Sequence, residues 1–184
     1  MHRVQEVGGE RLIQPASEDE PPRRAGSLQW VGLIAVATAA LVADQVTKHL
    51  IQRDLALGEV HQVLPFLDIT HVRNTGIAFG ILPGRLEFVT LLTAAAVVWM
   101  LVHFARSGAR HVLFPVALGL LIGGSVSNLI DRVREGYVTD FIHFSHWPTF
   151  NLADSFIVVG VVLLLFGFSR LERERVTAAE PGNI

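Results

Sequence analysis

The sequence contains no cysteine, which excludes disulfides and thiolate-ligated metals. It is also short of charge: 17% of its 184 residues are Asp, Glu, Lys or Arg, against about 25% in an average soluble domain. The charges nearly cancel, at −2 overall, and form no basic stripe, which argues against nucleic acid as a partner. None of the 8 histidines forms an H-x-x-x-H or H-E-x-x-H pair, so the usual helical zinc signature is missing. No apolar core interrupts residues 1–27, which are rich in Pro, Glu and Arg and read as a disordered cytoplasmic tail rather than a signal peptide. Residues 172–184 read the same way.

What the chain does have is long apolar runs, with 51% hydrophobic residues overall. A helix needs about 20 mostly apolar residues to cross a bilayer. Four segments qualify, 28–50, 86–105, 112–130 and 152–169, and none shows the polar face of a soluble amphipathic helix. The expected fold is therefore an all-α polytopic membrane protein of four transmembrane helices, with residues 28–171 as its membrane domain. Gly119 and Gly123, four apart in the third span, are expected to let helices approach closely.

Orientation follows from Lys and Arg. An even number of spans puts both termini on one side, which then carries 9 of the 15 basic residues, including Arg23, Arg24, Arg106 and Arg110 beside spans or in a short loop. Both termini are expected in the cytoplasm. The segments 51–85 and 131–151 then face outward. Val60–Arg73 is rich in β-branched residues and alternates in part, so this small outer region should contain short strands at the membrane surface. The second outer segment carries Tyr137, Phe141, Phe144, Trp147 and Phe150, aromatics suited to the headgroup layer.

Ionisable residues inside spans are costly and usually functional. Here they gather at one end. Asp44 and Lys48 close the first span, Asn128, Asp131 and Arg132 close the third, Asp140 lies in the loop that follows, and Asn151 and Asp154 open the fourth. Asp44–Lys48 is i,i+4, while Asn128–Asp131 and Asn151–Asp154 are i,i+3, so each pair shares a helix face. The plain structural readings are an ion pair fixing the first helix end, an interface anchor at Asp131–Arg132, and a helix-start carboxylate at Asp154. Those readings do not explain why four aspartates reach one depth. Two carboxylates around one water suffice for peptide hydrolysis, because like charges that close share a proton. One then takes a proton from water while the other polarises the scissile carbonyl.

Five stretches resemble the lipoprotein signal peptidase family: DQVTK at 44–48, NTGIAFG at 74–80, GSVSNLIDR at 124–132, VTDFI at 138–142 and FNLADS at 150–155. The resemblance implies an intramembrane aspartyl endopeptidase with Asp140 and Asp154 as its catalytic pair. It implies that Asn128, Asp131, Arg132 and Asn151 position that pair or the substrate, with Asp44 and Lys48 supporting. Asn74, Gly76, Ala78 and Phe79 would form the rim that receives the substrate. That substrate would be a prolipoprotein, cut just before its diacylglyceryl-modified cysteine, with membrane lipid as the other partner and globomycin as the family's inhibitor. No metal or cofactor is implied, and the chain is expected to be a monomer. A proton-coupled transporter or channel is the rival reading, but a relay would carry acids across the full depth of the membrane. A packing subunit is a third, and it would not need clustered carboxylates.

Overall fold

The computed structural model describes residues 4–7, 10–13, 25–76, 86–107 and 113–179. Within these, four helices carry the fold: α1 (Ser27–Asp54), α2 (Leu86–Ser107), α3 (Leu113–Glu135) and α4 (Leu152–Ala179). The first three are long and apolar enough to cross a membrane, and α4 has a shorter apolar stretch, Leu152–Gly167. Their outward faces carry Leu91, Trp99, Val158 and Leu165, all more than 60% exposed, which is the surface a lipid-facing helix presents.

Helix α3 is the centre. Just over half of its apolar stretch (56%) is buried against 17% for α1 or α2, and it packs on α1, on α4 and less extensively on α2. Small residues make this possible. A Cβ at Gly119 would lie 2.8 Å from the Val36 side chain, and one at Gly123 would run into the Ala37 carbonyl. Gly124 and Gly160 do the same on the other flank, where added Cβ atoms would sit 2.5 Å from the Ala153 carbonyl and 2.8 Å from that of Ala117. So the close approach expected at Gly119 and Gly123 is present on α1, and a second glycine seam joins α4. Helix α2 is held by Phe104, fully buried and edge-on to Trp30 at 4.9 Å.

A three-stranded antiparallel sheet caps one end. β3 (Val60–Leu64) and β4 (Leu67–Asn74) match the strands expected within 60–73, and β5 (Val138–Phe144) joins β4 from the second outer segment. The sequence placed Asp140 in a loop there, and the structure makes it a strand. β5 was hidden because its first four residues are buried on both faces, so it lacks the polar–apolar alternation of a half-solvated strand. Gly136, at φ 75°, ends α3 and turns the chain into β5, a conformation glycine adopts without a Cβ penalty.

The two expected tails carry more order than their composition suggested. Strands β1 (Val4–Val7) and β2 (Glu10–Ile13) pair antiparallel inside the 1–27 segment. Helix α4 runs on to Ala179, beyond the boundary placed at 171. Its last part, Arg170–Ala179, is made mostly of strong helix formers, and Pro181 follows where a helix must stop.

The α3–α4 seam gives a direct test. Gly124→Ala should lower the unfolding temperature in detergent, at a cost of about 1–3 kcal/mol for an overpacked contact. Gly167→Ala, where an added Cβ meets nothing within 4 Å, should be neutral or stabilising. Equal effects at the two positions would refute the close-approach account.

Candidate active site

The cluster foreseen at one end of the bundle is assembled by four elements. The α1 residues Asp44 and Lys48 are fully or almost fully buried, at 0% and 3% exposure. Lys48 Nζ lies 2.6 Å from Asp44, 2.7 Å from Asp131 and 2.7 Å from Asn128 Oδ1. The i,i+4 pair expected within the first helix is thus also a bridge to α3. Asp44 makes two further contacts: it accepts Ser127 Oγ–H at 2.7 Å and the Ala153 backbone N–H at 2.8 Å, reaching the first turn of α4. Asp131 also accepts Gln45 Nε2–H at 2.7 Å.

Asp140 reaches this cluster from the sheet. Its cross-strand partner is Val72, so Asn74, two residues along on the same face of β4, stands diagonally opposite. Asn74 Nδ2 donates to Asp140 Oδ2 at 2.8 Å. Beyond β5 the chain folds straight back. Phe150 exchanges backbone hydrogen bonds with Ile142 at 2.8 and 3.0 Å, which brings Asn151 beside Asp140. Asn151, fully buried, donates from Nδ2 to Asp140 Oδ1 at 2.7 Å.

Asp154 lies in the first turn of α4. Asn151 caps that helix: its Oδ1 accepts the Asp154 N–H at 3.0 Å, and its own N–H donates to Asp154 Oδ2 at 3.3 Å. This reciprocal pair is a capping box in which Asp154 occupies the acidic position. Asn128 Nδ2 completes the set by donating to Asp154 Oδ1 at 2.9 Å. The helix-start reading of Asp154 and its place beside Asp140 therefore hold together.

Both carboxylates line one cavity of about 60 Å³ with Asn74, Asn128, Arg132 and the wall Trp147–Phe150. A water needs about 10–15 Å³ on this measure, so the cavity has room for water beside the carboxylates. The half-buried Arg132 guanidinium sits in the field of Asp131, Asp140 and Asp154 and is 3.5 Å from the Gly76 carbonyl. Burial pushes the Asp140 carboxyl from its ordinary 3.8 up to about 7. The charge of Asp154 adds to the rise, while the hydrogen bonds from Asn74 and Asn151 and the charge of Lys48 oppose it.

Of the twelve residues singled out from sequence, ten are brought into this one network. Ala78 and Phe79 lie outside the described residues. Two contributors were missed. Ser127 reads as one more small packing residue of α3, although its i,i+4 relation to Asp131 puts it on the polar face. Gln45 stands inside a recognised motif, but a neutral amide among aliphatic residues gives no charge signal. His143 contacts Thr149 at 3.4 Å, and among the described residues no three His, Asp or Glu side chains gather as a metal site.

Residues 36–170 match the family described as Peptidase_A8, Signal peptidase (SPase) II. The chain is 45% identical over 141 residues to a lipoprotein signal peptidase of Syntrophotalea carbinolica, covering 72% of this chain and 88% of that protein. It is 40% identical over 146 residues to that of Symbiobacterium thermophilum, covering 77% and 96%, and 38% identical over 157 residues to that of Acinetobacter baumannii, covering 81% and 88%. Among solved structures it is similar to a bacterial membrane enzyme determined by the in meso method at 2.3 Å resolution. There the TM-score is 0.73 at 33% identity, over 80% of this chain and 92% of the other.

The raised Asp140 carboxyl has a consequence for stability. Between 3.8 and about 7 the folded chain holds a proton here that the unfolded chain has released. This contribution is therefore complete below the lower value and is lost as pH rises through the upper one. The parent protein in detergent should lose unfolding temperature between about pH 5 and about pH 8, and Asp140→Asn should lose less over the same interval. Identical pH slopes would show that Asp140 titrates normally.

Proposed function

The chain belongs to the signal peptidase II family, and on that footing we propose that Asp140 and Asp154 are its catalytic pair. The family's activity is its activity: an aspartic peptidase of the bacterial membrane that cleaves the signal peptides of prolipoproteins. The strongest support for the pair is its shared setting. The two carboxylates face one cavity, and each of their four oxygens already accepts an N–H from an asparagine. None of those nitrogens accepts a hydrogen, so a proton held by the pair points into the cavity.

The chemistry follows from that placement. A water between the carboxylates gives a proton to the ionised member as its oxygen attacks the scissile carbonyl carbon. The protonated member hydrogen-bonds the carbonyl oxygen as negative charge develops there. Collapse of the tetrahedral intermediate breaks the C–N bond, and a proton from the pair goes to the leaving nitrogen. The pair titrates as a unit, and a carboxyl near 7 suits a group that must both hold and release a proton around neutral pH. Arg132 holds the pair's excess negative charge from α3, and Asn74 and Gly76 form the described part of the rim.

The substrate enters from the bilayer, where a diacylglyceryl chain would keep the cysteine at the depth of the pair, and cleavage falls just before that cysteine. The rival proton pathway finds no support in the bundle. Among the described residues, the buried ionisable side chains Asp44, Lys48, His71, Asp131 and Asp140 all lie toward the sheet-capped end. Both termini lie in the cytoplasm, as the flanking arginines indicate.

Asp140→Asn and Asp154→Asn should each insert normally yet cleave a lipidated prolipoprotein peptide at under about a hundredth of the parent rate, within the usual range for general acid–base catalysis. Turnover near the parent rate in either variant would remove that residue from the pair. For topology, cysteines placed at Glu59 and Ser107 can be probed with a membrane-impermeant thiol reagent in intact cells. Labelling is expected at Glu59 alone, and labelling at Ser107 alone would invert the orientation.

A further inference from the structure

Three asparagine amides surround the aspartate pair, and each is held through its oxygen by a group that can only donate. Asn74 Oδ1 accepts the Gly76 N–H at 2.9 Å, and Asn151 Oδ1 accepts the Asp154 N–H at 3.0 Å. Asn128 Oδ1 accepts the Lys48 ammonium at 2.7 Å. An ammonium or a peptide N–H offers nothing to an NH₂ group, so these contacts fix which way each amide faces. In all three, the NH₂ is turned toward a carboxylate: Asn74 and Asn151 toward Asp140, Asn128 toward Asp154. Two of the holding groups belong to the backbone. The third is a side chain from another helix, the Lys48 ammonium, which hydrogen-bonds Asn128 Oδ1 and lies 2.6 and 2.7 Å from the Asp44 and Asp131 carboxylates.

We propose that Lys48 is a positioning residue for the peptidase reaction: by holding Asn128 Oδ1 it keeps the Asn128 NH₂ on Asp154 and so sets the proton affinity of the catalytic pair. This rests on Asp140 and Asp154 being that pair. The charged groups around Asp154 are Lys48 and Asp44 on α1, Arg132 on α3, and Asp140 on β5, with Asp131 beyond them beside Lys48 and Arg132. Of these, Lys48 alone also controls a hydrogen-bond donor to it. Without the ammonium, Asn128 Oδ1 keeps only the longer bond from Asn151 Nδ2, at 3.1 Å and shared with Asp140, and the amide is more readily turned with its oxygen toward Asp154. A carboxylate facing a carbonyl oxygen holds its proton more tightly, so the pair ionises at higher pH.

Removing Lys48 alone would leave Asp44 and Asp131 buried without their cation, so the test removes one acid with it. In Lys48→Met combined with Asp131→Asn, kcat should fall by about tenfold or more, the lower end of what general acid–base catalysis contributes. KM should stay near the parent value, and the acid limb of the kcat profile should move to higher pH. In an Asn128→Leu background the same pair of changes should move the acid limb by clearly less, because only the direct effect of the Lys48 charge remains there. An unmoved acid limb, or an equally large shift in the Asn128→Leu background, would overturn the proposal and leave Lys48 a structural cation. Should the chain without the Asp131 carboxylate fail to fold, Lys48→Met with Asp44→Asn puts the same question. Full activity of Asp140→Asn or Asp154→Asn is a separate result, which would remove the pair itself.

Discussion

One ammonium group, buried where α1, α3 and α4 meet, is what the site hangs from. Lys48 ties α1 to α3 through Asp131 and Asn128 and steadies Asp44, which in turn holds the first turn of α4 through the Ala153 N–H. Taking such a charge out of water costs several kcal/mol, and it is tolerated where opposite charge and hydrogen bonds offset that cost. Here two carboxylates and one amide oxygen lie within 2.7 Å of the nitrogen. Removing Lys48 would leave Asp44 and Asp131 buried without their cation at the junction of three helices, so the cluster also holds the helices together at this end.

The rest of the bundle is arranged so that this junction closes. Glycines on both flanks of α3 bring α1 and α4 within backbone contact, which is what lets short side chains such as Ser127 and Asn128 reach across. The sheet has a different task. It carries Asp140 in from outside the helices, and its register decides which face of β5 meets the bundle. A slip of one residue would turn Asp140 away and send a neighbour inward. The bulge between Ile69 and Val72 adjusts β4 just before the residues that pair with Thr139 and Asp140.

Much of this was legible from residues alone, for a physical reason. In lipid the backbone must satisfy itself, so apolar runs translate directly into helices, and costly ionisable residues stand out against them. That contrast located the four spans and the polar ends at Asp44, Asp131 and Asp154. Where the contrast fades, so did the reading. β5 carries Asp140 but is buried on both faces and shows no alternation. Gln45 and Ser127 are neutral, so nothing in their chemistry separates a hydrogen-bond partner from filler until α1 and α3 are seen together. The wall formed by Trp147 and Phe150 looked like interfacial aromatics, because which side of a loop faces a cavity is a tertiary fact.

The return of the chain on itself after β5 separates two jobs that enzymes often entangle. The Ile142–Phe150 bridge closes a ring, and Asp140 and Asn151 lie just outside its two ends. Residues 145–149 are the far side of that ring, and Trp147, Pro148 and Thr149 from it face the cavity. Length or side-chain changes there are absorbed beyond the bridge and do not alter the spacing of the acids. The shape of the cavity mouth and the spacing of Asp140 and Asn151 are thus set by different parts of one loop.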